Sequence, residues 1–420
     1  MLTLLIIGGT LIYAIVRYYQ FTARYPKGPL PLPFIGNFFQ FDFNNQHKSL
    51  EPLGKAQKGI YTLFTPIPYV QITDYTIMRE AFIEKGYRAF QMLSKLNVLV
   101  MVANVINEVL FGYRYMHGEC QPLMDYVNSF NKVLDDMTES KGMMVAMGLP
   151  FLQNVPFIGW HIFGRVKAGM KKINQYVVDN VERALKDYNI DDEPTCFVHA
   201  YKQKMAKNEY LDHTNLLATC ADFFLAGQET TTTTLRWAML IMAKHPELQE
   251  KLRTEIHYVV GKDRLPCLTD QPKMPYARAC ALELQRFANI LPTNAQRVTV
   301  RDVEIRGQTI PEGTWVNGDI HYIMANDPAF ENPEEFRPER YIAEDGKTLR
   351  KDLVERTIPF SIGKRACAGE GLARVEIFLG LASTVQHFKI CSCTGQNVDL
   401  EPKIVQMIQP KPQLLRLEKV

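Results

Sequence analysis

The chain has 420 residues, of which 46% are hydrophobic and 22% charged, with a formal net charge of +3. This composition supplies enough apolar side chain for one large core or two modest ones, and it excludes a disordered chain. The small net charge, with no run of five or six like charges, excludes a nucleic-acid footprint.

From the N-terminus, Met1 to Val16 is apolar and uncharged, and Arg17, Arg24 and Lys27 follow. The segment is at the short end of a membrane span. It has no basic residue before Arg17 and no small-residue cleavage site, so we expect a retained anchor over 1–20 with the positive charges on the cytoplasmic side. Next, Pro26, Pro29, Pro31 and Pro33 predict a stiff, extended connector over 21–36, either a plain linker or a strut that fixes the tilt of the body behind it.

A long helical pattern runs from about Asp212 to His245 and is apolar nearly all round, as in a buried central helix. Its middle is unusual: Gly227, Gln228 and Glu229 precede five threonines, Thr230 to Thr234. The Thr230 hydroxyl is expected to bond the Ala226 carbonyl, and Gly227 to let the helix open beside a hydroxyl and a carboxylate that could relay protons. A threonine face satisfied by its own helix is the alternative.

Glu283 and Arg286 share a face of a further helix, and Arg340 in Pro338-Glu-Arg-Tyr offers a second guanidinium to the same carboxylate. Between them, segments near Val298, Val303 and Thr309 to Val316 predict short strands. Pro359 to Phe378 carries Cys367 between glycines, with a helical pattern starting near Glu370. The glycines let backbone approach a flat ligand, and a helix N-terminus favours a thiolate, the haem ligand that promotes O–O cleavage. Arg365 is placed to reach a haem propionate.

The other cysteines are scattered, which argues against a disulfide framework, and Cys391 and Cys393 are read as alternating strand residues in place of a zinc pair. The nine histidines form no HExxH, and the phosphate-binding motifs GxGxxG and GxxxxGK[ST] are absent. NADPH would therefore bind a partner and not this chain.

The run Phe360-x-x-Gly363-x-Arg365-x-Cys367-x-Gly369 resembles the cysteine-ligand signature of the cytochromes P450, the haem-thiolate monooxygenases. The Pro-rich segment, Ala226-Gly-x-Glu229-Thr230, Glu283-x-x-Arg286 and Pro338-Glu-Arg340 precede it in that family's order, most like the animal microsomal members. The resemblance implies a mainly α fold with small β-sheets, as one catalytic domain over 37–420 behind the anchor and the hinge. It implies haem b (iron protoporphyrin IX) with Cys367 as the axial iron ligand and Arg365 and Arg297 at the propionates. Phe360, Gly363 and Gly369 would pack about the cysteine and Ala226 over the haem face, with Thr230 and Glu229 managing protons. Glu283, Arg286 and Arg340 would form the structural triad. An NADPH-dependent reductase, O2, a lipophilic substrate and the endoplasmic reticulum membrane, with the catalytic domain facing the cytosol, are implied as partners and place.

One departure stands out. The family carries a helix with Trp-x-x-x-Arg where this chain has only a short stretch, and none of Trp160, Trp237 and Trp315 has arginine four positions later. Several tens of residues are missing near 87–103, so a haem-binding variant of impaired or no activity is the alternative to a working monooxygenase. A haem-thiolate isomerase is the third reading, against which Glu229 and Thr230 speak for oxygen activation.

Overall fold

In a computed structural model of the chain, the described residues are 2–33, 35–37, 46–57, 59–65, 67–74, 98–115, 121–139, 155, 157–392, 397–404 and 407–420. Among them the first helices are α1 (Leu2–Thr22), α2 (Gln46–Gln57), α3 (Val98–Phe111), α4 (Gln121–Glu139), α5 (Ile158–Leu185) and α6 (Phe197–Met205). There follow α7 (His213–Lys244), α8 (Pro246–Val259), α9 (Pro275–Ala288), α10 (Ile320–Asn326), α11 (Lys351–Arg356) and α12 (Glu370–His387). The strands are β1 (Ile60–Thr65), β2 (Ile67–Ile72), β3 (Arg297–Val298), β4 (Val303–Ile305), β5 (Gln308–Ile310), β6 (Trp315–Gly318), β7 (Phe388–Ser392) and β8 (Leu415–Lys419), apart from a short pair near residues 402–410. The chain is thus mainly helical with small sheets, as expected.

Two compact units share the chain. The first comprises Met1–Gln91, Pro272–Glu370 and Lys403–Ile408; the second comprises Met92–Gln271, Gly371–Pro402 and Gln409–Val420. In the first unit, β1 and β2 pair antiparallel, β2 and β6 parallel, and β6 and β3 antiparallel. Alternation puts Ile60, Val70, Ile72 and Val316 on one face, where they pack with Ile320, Ile323 and Met324 of α10. Tyr61 and Leu63 occupy the opposite face and meet Leu50 of α2. The β4–β5 hairpin turns on Arg306 and Gly307, both at positive φ, the backbone that a two-residue turn with the strands' twist requires.

The Pro-rich connector is neither a free linker nor a free strut. It lies on β1, so closely that a Cβ at Gly28 would meet the Thr62 carbonyl oxygen at 2.0 Å and one at Gly36 the Phe64 carbonyl oxygen at 1.8 Å. Asn37 completes the attachment: its backbone N–H donates to the Phe64 carbonyl at 2.6 Å, and its side-chain oxygen accepts from the Phe64 N–H at 2.8 Å. Proline's lack of an N–H leaves a continuous ladder impossible, so two glycines and one asparagine supply the contacts instead.

The second unit is built on α7. Asp212 caps its start by accepting from the Asn215 N–H at 2.6 Å, and the helix runs 32 residues without a break. Phe224 and Leu235 of α7 pack with Val102 and Ile106 of α3, Phe130 of α4 and Val177 of α5. One sequence expectation changes here. Gly227 does not open α7; it accommodates α3, since a Cβ there would come within 2.8 Å of the Ile106 Cδ1. α3 begins at Val98, where Val98, Val100 and Val102 pack on the same core. Residues 75–97, which hold most of the shortened stretch and the segment before it, lie outside the described residues. Cys391 lies in β7, paired with Arg416 of β8, and Cys393 is outside the described residues. Among the described residues, no helix is long and apolar enough to cross a membrane. Placement of the anchor at 1–20 rests on the sequence alone.

Candidate functional site

The cysteine segment of the first unit is a loop closed by its own backbone. The Cys367 N–H donates to the Phe360 carbonyl at 3.0 Å, and the Ala366 N–H to the Gly363 carbonyl at 2.9 Å. Gly363 sits at φ +86° and Ser361 at +62°, so a side chain at 363 would be strained where the chain doubles back. Cys367 then stands just before α12, the helix start expected near Glu370. Its side chain is accessible to solvent although protein atoms surround much of it. That partial burial pushes the thiol above its ordinary pKa, while the N–H groups of Gly369 and Glu370 pull the other way. In the protein alone, desolvation therefore outweighs the helix start. A coordinating metal would remove the proton outright.

Arg297 on β3 braces this loop. It is 1% exposed and donates to the Ser361 hydroxyl at 2.9 Å and to the Arg365 carbonyl at 3.2 Å. Burial, with the Arg365 charge adding to it, lowers its pKa to about 10. Two guanidiniums that repel each other beside an accessible thiol form a donor set suited to a ligand with a metal centre and carboxylates at its edge. Gly369 lies beside the sulfur: a Cβ there would stand 3.9 Å from Sγ, an ordinary contact. The residues of this loop thus fit a haem group with a thiolate ligand.

Glu283, Arg286 and Arg340 come together in the same unit. Arg286 grips the Glu283 carboxylate with two nitrogens at 2.8 and 2.9 Å, Arg340 adds a bond at 3.0 Å, and the Arg337 backbone N–H a fourth at 2.8 Å. The remaining guanidinium nitrogens donate to backbone carbonyls at Met324, Glu331, Asn332 and Glu335. All three side chains are buried, and every charge has a partner, the condition under which a buried ion cluster is tolerated.

The threonine segment belongs to the second unit. Thr230 donates to the Ala226 carbonyl at 3.0 Å and Thr234 to the Thr230 carbonyl at 2.9 Å, so both hydroxyls lean back on the helix. Glu229 is fully buried; it accepts from the Thr233 hydroxyl at 3.0 Å and attracts Arg236. A hydroxyl and a carboxylate that can hold and pass a proton therefore sit on adjacent residues of an unbroken helix.

Sequence reasoning passed over two groups here. Glu376 of α12 is buried, and burial raises its pKa to about 8, against a smaller pull from the neighbouring Thr231 hydroxyl. One of its oxygens meets no partner among the described residues. The signal was an acidic residue inside the otherwise apolar run Val375-Glu-Ile-Phe, on the helix expected from near Glu370. Gln228 is fully buried, and neither atom of its amide has a partner among the described residues.

Comparison with known proteins agrees with this geometry. The family model described as cytochrome P450 matches residues 91–416. Among similar curated proteins, cytochrome P450 2E1 of Mus musculus is 30% identical over 449 residues, covering 90% of each chain. Cytochrome P450 2C55 of Rattus norvegicus is 29% identical over 456 residues, 90% of this chain and 91% of that one. Cytochrome P450 2C16 of Oryctolagus cuniculus is 28% identical over 434 residues, 88% of each. With a family match across most of its length and a relative 30% identical over 90% of each chain, the chain belongs to the cytochrome P450 family of haem monooxygenases.

Proposed function

We propose that the chain is a membrane-associated monooxygenase that inserts one oxygen atom of O2 into a lipophilic organic substrate, with electrons from NADPH delivered by a separate reductase. The Cys367 loop carries this reading: an accessible thiol before a helix, with Arg297 and Arg365 beside it. Haem b bound there would supply the oxygen-activating and electron-accepting chemistry. Cys367 would hold the iron, and Arg297 and Arg365 would hold the propionates. Phe360, Gly363 and Gly369 would shape the loop, and the Glu283–Arg286–Arg340 cluster would support it from behind. In the second unit, Ala226 would pack against the group's face, while Thr230 and Glu229 would hold and pass the protons that turnover consumes.

The apolar segment over 1–20, the positive residues after it and the resemblance to the animal microsomal members of the family support residence on the endoplasmic reticulum membrane, with the catalytic domain at 37–420 facing the cytosol. The missing stretch near 87–103 is supported by the alignments: 88% of this 420-residue chain spreads over 434 positions of a relative, so the relative carries several tens of residues more.

The test is direct. Full chain produced with haem precursor, reduced and exposed to carbon monoxide should show the red-shifted thiolate-carbonyl band, and Cys367→Ala should abolish it. With reductase and a lipophilic substrate, NADPH oxidation should match hydroxylated product. Haem bound without the band would overturn the thiolate assignment. The band without coupled NADPH oxidation would overturn the turnover claim and leave the haem-binding variant that the shortened stretch suggests.

A further inference from the structure

Where α1 ends, the chain turns into the connector and lines an open pocket of about 690 Å³ with the end of α2, β1 and the β4–β5 hairpin. Its polar lining comprises Arg24, Lys27, Gln57, Asp302, Gln308 and Thr309. Two cations and one carboxylate therefore face one space. Neither Arg24 nor Lys27 has an ion pair or a side-chain hydrogen bond among the described residues. Asp302 commits one oxygen, which accepts from the Glu312 N–H at 2.8 Å.

The surroundings are apolar and exposed. Phe21 precedes the turn at 37% exposure, and Leu30, Leu32 and Ile35 follow it at 74%, 52% and 47%. Farther back along α1, Ile12, Tyr13 and Val16 are exposed as well. Isolated exposed apolar residues are ordinary, but a set that lies along the chain on both sides of the charged segment 23–27 lining the pocket marks an interaction surface. The turn is also held in place. Phe21, Tyr25 and Phe64 stack edge to face at 5.2 to 6.2 Å, and Gly28 and Gly36 pin the connector to β1. The charges are thus presented by backbone that is already fixed, so little ordering cost falls on binding.

A ligand for this site needs an anion for Arg24 and Lys27, a cation for Asp302 and an apolar part for the rim. We propose that the cavity binds the headgroup of an aminophospholipid, with its phosphate against Arg24 and Lys27, its ammonium against Asp302 and its acyl chains along Phe21, Leu30, Leu32 and Ile35. The volume lies within the range of small-ligand pockets. This site deepens the membrane association proposed above and rests on it. Because the charges are exposed, salt weakens the contact.

The test uses the full haem-loaded chain and vesicles of phosphatidylcholine alone, with phosphatidylethanolamine or with phosphatidylglycerol, read by cosedimentation. Binding is expected to all three, and about tenfold tighter with phosphatidylethanolamine than with phosphatidylcholine, the scale of a few interfacial charge contacts. The double variant Arg24→Gln, Lys27→Gln should lose that preference while still cosedimenting. Asp302→Asn, which keeps an acceptor for the Glu312 N–H, should do the same. Soluble glycerophosphoethanolamine should compete for the preference and inorganic phosphate should not. Equal competition by phosphate, or equal preference for phosphatidylglycerol, would reduce the site to an anion patch and overturn the ammonium assignment. Wild type and variants that bind every vesicle alike would overturn the pocket and leave membrane association standing; no cosedimentation at all would overturn both.

Discussion

Two glutamates are buried in this chain under opposite conditions. Glu283 in the first unit accepts four hydrogen bonds, three from guanidiniums and one from the Arg337 N–H. Glu376 in the second unit has the Thr231 hydroxyl beside it and an oxygen with no partner among the described residues. A carboxylate leaves water only when counter-charge and donors replace what it loses, or when it takes up a proton. Glu283 follows the first course and Glu376 the second. The first makes a group that ties three segments together, and the second makes one whose charge depends on pH.

The largest expected effect comes from breaking the satisfied cluster. Glu283→Ala strands two buried guanidiniums, and removal of one partner of a buried ion pair costs about 3–5 kcal/mol. Denaturant unfolding of the chain should show a loss of that size, with haem retention falling alongside it. An effect near that of a surface pair would mean the cluster is reached by water.

The pH dependence of Glu376 separates the two groups more finely. Its folded-state pKa is raised, so the folded chain keeps a proton that the unfolded chain releases. The stabilisation is complete below the ordinary value of 4.5 and is lost as pH climbs towards about 8. Glu376→Gln carries no such proton, and its stability across that window should be flat relative to wild type. At the upper end of the window the variant should be the more stable by up to a few kcal/mol. Parallel pH profiles for the two proteins would show that Glu376 is ionised and paired.

A neutral group tests the same idea with a smaller effect. Gln228→Leu removes a buried amide without partners and keeps most of its volume, so the chain should become about 1 kcal/mol more stable. A loss would reveal a partner bound to that amide. The smallest effect is expected at an exposed but satisfied carboxylate: Asp212→Ala removes the α7 cap and should cost about 1 kcal/mol or less by thermal unfolding.

Much of the site was legible because local spacing encodes it. Glu283 and Arg286 share a helix face at any tertiary arrangement, and the glycines around Cys367 announce a tight loop before a helix starts. The bond from Thr230 to the carbonyl four residues back needs only the helix itself. What escaped depends on approach between distant segments. Gly227 looked like a point of helix opening, because a glycine in a helix is locally a weakness; packing against Ile106 gives it the opposite use. Gly28 and Gly36 lie in a run expected only to be a stiff, extended connector, yet each is required by a β1 carbonyl more than twenty-five residues away in sequence. Glu376 was hidden for a similar reason, since a helix with a mixed pattern does not declare which neighbour an acidic residue will face.

The pinned connector also limits how this region can change over time. Seven residues lie between Gly28 and Gly36, and the two face the carbonyls of Thr62 and Phe64 on one strand. Insertion or loss of a single residue between them would bring a side chain against one of those oxygens. Substitutions at the exposed Leu30 and Leu32 are tolerable, whereas a change of length is not. Among homologous chains this stretch should therefore hold its count of residues, the inverse of what is expected of a surface linker.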